Sequence, residues 1–194
     1  MRDRQSVRFS EIAPSFASRM LFLETKLPGV IEIELQPHPD DRGFFARSWC
    51  HKEFEANGLN PRLVQCNISF NIRRGTLRGL HLQTPPYAEA KLVRCTRGAI
   101  YDVVLDLRPS SPTYKDWIAA VLTSANRHML YIPEGCAHGF LTLEDETEVF
   151  YQMSEFYDAV SARGFRWNDP AFRITWPEKV EVISDRDGAY PDFE

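Results

Sequence analysis

The sequence lacks several features that would place a protein at a glance. No apolar run approaches the ~20 residues of a membrane helix. The burst Met20-Leu21-Phe22-Leu23 stops at Glu24, too short for the apolar segment of a signal peptide. These absences lead to the expectation of a soluble, cytoplasmic protein with no membrane contact. Cysteine is scarce: Cys50, Cys66, Cys95 and Cys136, with no C-x-x-C pair among them. At 194 residues the chain is long enough to build its own core, so free thiols are expected rather than a disulfide framework. Positive charge is not in excess. Against 23 Lys and Arg stand 27 Asp and Glu, a net charge of −4, which argues against nucleic acid as a partner. Glycine-rich phosphate loops and the G-x-S-x-G nucleophile elbow are missing. No repeat of 20–50 residues is visible, and helical periodicity is weak.

What the sequence does contain is a succession of short strands. Residues 1–19 are polar and mixed, and read as an N-terminal extension. Residues 20–194 read as a single domain. Its apolar share, 43%, is ordinary for a folded protein. Val30-Ile31-Glu32-Ile33-Glu34-Leu35 alternates apolar and acidic residues, the mark of a half-buried strand. Further strands are expected over 44–49, 63–70, 75–83, 91–97, 100–107, 117–122, 129–132, 136–143 and 148–153, with one more at 180–183. Turn residues separate them, including Thr84-Pro85-Pro86 and Pro109-Ser110-Ser111-Pro112. The one clear helix covers 51–57, with Phe54 as its anchor and Gly58 as its stop. Asp185-Arg186-Asp187-Gly188 reads as a loop. Strands at spacings of about 8–12 residues make an all-β sandwich or barrel. The architecture that encloses a pocket between two inner faces is the double-sheet jelly roll.

The stretch Gly75-Thr76-Leu77-Arg78-Gly79-Leu80-His81-Leu82-Gln83 packs a cation, an imidazole and an amide into one strand. Strict alternation would set Arg78 and His81 on opposite faces. A bulge at Gly79 would bring them together. The bland alternative is an edge strand with a solvated arginine and a buried histidine.

Other residues also stand open between two readings. Lys91 opens the apolar strand Leu92-Val93 and is either a solvated strand end or a holder of a developing oxyanion. Tyr151 is either core packing or a proton donor. His138, in Pro133-Glu134-Gly135-Cys136-Ala137-His138, is a ligand donor, a metal ligand or a satisfied core histidine. Asp169, in Trp167-Asn168-Asp169-Pro170, is the carboxylate chosen as partner of His81. A metal site would need three or four His and carboxylate ligands, and Gln83 stands where a second histidine would be wanted, so no metal is expected. Phosphates would meet forked arginines, with Arg42, Arg47, Arg78 and Arg94 as candidates.

Taken together, Gly75 to Gln83, Pro133 to Phe140 and Trp167 to Pro170 resemble the dTDP-4-dehydrorhamnose 3,5-epimerase family of the cupin superfamily. Asp41-Arg42-Gly43-Phe44-Phe45, Gln65-Cys66-Asn67-Ile68-Ser69, Lys91-Leu92-Val93-Arg94 and Tyr131-Ile132-Pro133-Glu134-Gly135 add matches in order. The resemblance implies a cupin-like fold and a homodimer. It also implies a cofactor-free, metal-free isomerase acting on a nucleotide-linked 4-keto-6-deoxyhexose at C3 and/or C5, through an enolate. On the same ground His81 is the general base, Asp169 its dyad partner, Tyr151 the general acid and Lys91 the stabiliser of the enolate oxygen. His138, Arg78, Arg42, Phe45, Gln65, Asn67 and Arg47 are then substrate contacts. Arg47 stands where the rhamnose-pathway enzymes carry an acid, and Cys66 replaces another acidic residue, so the nucleotide is open among dTDP, CDP and GDP. The competing readings are a silent sugar-nucleotide-binding cupin and a metal-dependent cupin oxygenase.

Overall fold

The computed structural model describes residues 19–194. The extension expected over 1–19 lies, but for its last residue, outside the described residues. The strands are β1 (Leu21–Glu24), β2 (Ile31–Glu34), β3 (His38–Asp40), β4 (Gly43–Phe45), β5 (Gln65–Asn71), β6 (Leu77–Gln83), β7 (Lys91–Arg97), β8 (Ala99–Asp106), β9 (Trp117–Thr123), β10 (Met129–Ile132), β11 (Cys136–Thr142), β12 (Thr147–Met153) and β13 (Ala162–Gly164). Two short helices, α1 (His51–Ala56) and α2 (Asp185–Gly188), complete the described elements. Six strands form one sheet in the order β1-β2-β10-β7-β12-β5, and five form a second in the order β13-β6-β11-β8-β9. Every named strand pairing is antiparallel, and β3 and β4 stand apart as a hairpin. This is the expected all-β, cupin-like jelly roll with peripheral helices.

Three apolar layers hold the sandwich. The central one interleaves Val93, Leu130 and Val149 from the larger sheet with Ile100, Val104, Leu122 and Phe140 from the smaller. On the outer face of the larger sheet, Phe54 of α1 packs with Ile33, Leu92, Met129 and Tyr131. On the outer face of the smaller sheet, Phe165, Phe172, Trp176 and Phe193 of the C-terminal segment cover Leu80, Leu82, Val103 and Leu105. With both faces covered, all seven residues of β11 are buried. That is why its sequence reads as a nearly continuous apolar run rather than an alternation.

The strand carrying Arg78 and His81 breaks its register. On β11, His138 faces His81 and Phe140 faces Arg78, so Gly79 and Leu80 of β6 oppose the single Gly139 of its partner. The extra residue lies at Gly79-Leu80, the bulge that the glycine suggested. Gly79 has φ +117°, and a Cβ there would stand 2.5 Å from the Cα of Gly139. The two backbones approach more closely than side chains allow. The shift turns Arg78 and His81 to the same side of the sheet.

Some expectations are corrected. The strand expected over 44–49 ends at Phe45. Beyond it Arg47 pairs with Glu53 of α1 and Trp49 packs against Phe54, so these side chains serve the helix rather than a ladder. The strand expected at 180–183 is a single bridge between Thr76 and Val182. The loop expected at 185–188 is α2, capped by the Ser184 hydroxyl, which accepts from Asp187 N–H. All four cysteines are unbonded. Burial raises the thiols of Cys95 and Cys136 to about 11 and about 12.

Gly79→Ala meets both the backbone contact and the positive φ. It is expected to cost more than ~2 kcal/mol, and to lower the melting temperature by roughly 5 °C or more. A thermal scan that moves by less than about 1 °C would show that the close approach is not required.

Candidate active site

The bulge and the sandwich together create a cavity of about 490 Å³ between the sheets. Arg78 and His81 enter it from β6, His138 and Phe140 from β11, Lys91 from β7 and Tyr151 from β12. A second cavity of about 350 Å³ adjoins it and shares His81, Lys91 and Tyr151. Gln65, Asn67, Tyr157, Arg163 and Arg186 line this second lobe. His81 therefore belongs to the smaller sheet, and Tyr151 and Lys91 to the larger, so a molecule lying between the sheets meets them from two sides.

The partner of His81 is Asp187, not Asp169. His81 Nε2 lies 2.8 Å from Asp187 Oδ1. Asp187 comes from α2, beside the C-terminal cover of the smaller sheet. Burial opposes its charge, but the imidazole, Gly79 N–H and the Ser184 hydroxyl outweigh that and hold its carboxyl below the usual range. Asp169 is also buried, but its oxygens accept from the backbone N–H groups of Ala171 and Phe193 at 2.8 and 2.7 Å. Those bonds pin the C-terminal segment and leave Asp169 no part in the imidazole pair. Sequence reasoning missed Asp187 because a four-residue helix has no periodicity to announce it.

Two further cationic or imidazole groups in the cavity have carboxylates of their own. His138 Nε2 lies 2.7 Å from Asp102 Oδ1, and Asp102 is fully buried. Lys91 is not a solvated strand end: it is buried, its ammonium donates to Glu89, and it lies 3.4 Å from the carbonyl of His81. Glu89 in turn accepts from the Gln83 N–H at 2.9 Å. Buried charges of this kind persist only when paired. Asp102 and Glu89 were passed over in the sequence, although a lone acid inside Ile100-Tyr101-Asp102-Val103-Val104 is itself a signal.

Tyr151 has its phenol raised above its ordinary value by burial, with the Arg78 charge pulling the other way. It stays protonated at neutral pH, as a proton donor must. Arg78 is tied by its Nε to Asn71 Oδ1 at 2.7 Å. Arg186 is raised, chiefly by the Tyr157 phenol. Gln83 spends its amide on loop backbone, donating to the Tyr87 and Phe156 carbonyls and accepting from Asp158 N–H. Among the described residues no three His, Cys, Asp or Glu side chains gather as a metal-ligand set. Arg42 and Phe45 lie on the exposed β3–β4 hairpin, where Arg42 pairs with Asp40, and they line neither lobe. Arg47 is paired with Glu53 and also lies outside both.

An imidazole and a phenol facing one cavity from opposing sheets of a cupin-like jelly roll form a site fitted to acid–base chemistry. Comparison with known proteins makes the class specific. The family model described as dTDP-4-dehydrorhamnose 3,5-epimerase matches residues 24–194. The Shigella flexneri enzyme of that name is 43% identical over 169 residues, covering 87% of this chain and 93% of the relative. The crystal structure of the Bacillus anthracis enzyme, with TDP and PPi bound, superposes with a TM-score of 0.87 at 40% identity, covering 90% of this chain and all of that one. The Legionella pneumophila epimerase, in complex with dTDP-4-keto-L-rhamnose, gives 0.82 at 34% identity, covering 88% and 91%. The chain belongs to the dTDP-4-dehydrorhamnose 3,5-epimerase family and is an isomerase.

Two aspartates now carry opposite expectations. Asp187→Asn is expected to lower kcat by ~10²-fold or more. Asp169→Asn is expected to lower the melting temperature while leaving kcat within about threefold of the parent. The carboxyl of Asp187 is depressed in the fold, so its stabilising contribution is complete above the usual carboxylate range. It is lost as pH falls toward the folded value. A plot of melting temperature against pH should therefore be flatter at its acid end in Asp187→Asn, and an unchanged slope would deny the linkage.

Proposed function

We propose that this epimerase inverts C3 and C5 of a dTDP-linked 4-keto-6-deoxyhexose by removing a proton on one face of the ring and returning one on the other. The observation that carries the reading is the placement of His81 and Tyr151 on opposing sheets of one cavity. The ketone at C4 makes the neighbouring C–H groups acidic, because the carbanion delocalises onto oxygen. His81 takes the proton. Its Nε2 is held by Asp187, which fixes the tautomer and favours the imidazolium that forms, so Nδ1 is the accepting nitrogen. Tyr151, kept protonated by burial, delivers the proton from the other sheet. Each positioned proton-transfer group is worth ~10²–10⁴-fold. Lys91 and His138 face the oxygen on which charge develops, where electrostatic stabilisation is the larger contribution.

Arg78 is assigned to the diphosphate, and Gln65 and Asn67 to the nucleotide end of the second lobe. Arg42 and Phe45 sit on an exposed hairpin away from this chain's own cavity, which favours their reaching the site of a second copy in a homodimer. Arg47, paired with Glu53 behind that hairpin, then contributes by fixing the segment. The reaction uses the substrate's own ketone as its electron sink, so the cofactor-free, metal-free reading stands as part of the proposal. The protein is assigned to the cytoplasm; no described helix is long and apolar enough to cross a membrane.

Proton NMR in heavy water tests the scheme. His81→Ala should abolish solvent exchange at C3 and C5, and full exchange in that variant would remove His81 as base. Tyr151→Phe should retain proton removal better than net inversion; equal loss of both counts against its role as acid. Offered dTDP-, CDP- and GDP-linked 4-keto sugars in parallel, the enzyme should turn over the dTDP sugar fastest. A preference for another nucleotide would correct the substrate while leaving the chemistry in place.

A further inference from the structure

Tyr190 lines neither lobe of the cavity, yet its ring meets the imidazole of His81. The two ring centroids are 6.2 Å apart and the planes cross at 79°, an edge-to-face contact. The same ring occupies the space that a side chain at position 164 would take. A Cβ on Gly164 would fall 1.8 Å from Tyr190 Cζ and 2.3 Å from its hydroxyl oxygen. Gly164 is on β13, opposite His81 in register. The absence of a side chain there opens a socket beside the imidazole, and Tyr190 fills it. The phenol oxygen is buried and interacts with the Arg186 guanidinium. What the residue brings to His81 is its ring.

His81 needs such a wall. Its side chain is 42% exposed on the cavity side, so packing there does not hold it. The torsion that turns an imidazole about its Cβ–Cγ bond has broad, soft minima. A single hydrogen bond at Nε2 fixes one atom of the ring but leaves its plane free to tilt about that point. We propose that Tyr190, seated on Gly164, is a positioning residue that sets the plane of the His81 ring. Nε2 then stays on Asp187 and Nδ1 stays turned toward the substrate. The inference rests on the reading of His81 as the base. Asp187 and Tyr190 lie three residues apart at the end of the same segment, so α2 and the turn after it deliver both constraints on that base.

A displaced base slows the chemical step and leaves substrate binding largely alone, so kcat should fall with little change in KM. Tyr190→Ala is expected to lower kcat by ~10²-fold, with KM within about threefold of the parent. Tyr190→Phe keeps the ring and loses only the hydroxyl's contact with Arg186, and should restore kcat to within about threefold. Gly164→Ala displaces the ring without opening a hole, and should show the same selective loss of kcat as Tyr190→Ala. Melting temperature and dTDP binding by calorimetry, taken on all three variants, identify any that have lost the fold. A kcat within about twofold of the parent in folded Tyr190→Ala or Gly164→Ala overturns the proposal, as does a Phe variant as slow as the Ala variant. The two readings fail differently. Solvent exchange that survives in His81→Ala removes the base itself. An inert His81→Ala beside a fully active Tyr190→Ala removes only the positioning role.

Discussion

The hydrogen bond between His81 and Asp187 is the constraint on which the site depends. It joins a strand in the middle of the chain to a residue 106 positions later. For it to form, the C-terminal segment must lie across the outside of the smaller sheet, and that segment is held there by its own apolar contacts with Leu80, Leu82, Val103 and Leu105. It is pinned again by Asp169, whose carboxylate fastens the backbone at Ala171 and Phe193. The two aspartates thus divide a task that sequence reasoning gave to one of them. Asp169 fixes the path of the segment, and Asp187 uses that path to reach the imidazole. The bulge at Gly79 is the matching device on the strand, since it turns Arg78 and His81 to one side.

The same logic recurs around the cavity. His81, His138 and Lys91 each meet a buried carboxylate, supplied by α2, by β8 and by the segment before β7 respectively. Groups that would be costly to bury alone are thereby kept polar and oriented. Donors fixed before the substrate arrives need not reorganise when charge develops on it. The tyrosine is the exception. Among the described residues it has no acidic partner, and burial raises its phenol above the ordinary value.

Much of this was legible in the sequence. The bounds expected for β7 and β10 agree with the structure to the residue, because alternation and bounding turns mark strands sharply. Arg78, His81, Lys91, His138 and Tyr151 were all singled out, and they converge. They were visible as polar residues inside otherwise apolar strands, where burial demands a reason. The partners were harder. Glu89 lies in a connection and Asp187 in a single helical turn, where no period constrains direction. Asp169 stands in the Trp167-Asn168-Asp169-Pro170 motif of the family resemblance, whereas the pairing of His81 with Asp187 spans 106 residues of chain and leaves no local trace. Arg42 and Phe45 show the same limit: no local pattern in the sequence says that their hairpin stands away from this chain's own cavity.

Every strand precedes Asp187 in the chain. The strands of both sheets are therefore all synthesised before the carboxylate that meets the imidazole. A chain shortened before α2 would keep every described strand and lack the carboxylate that His81 meets.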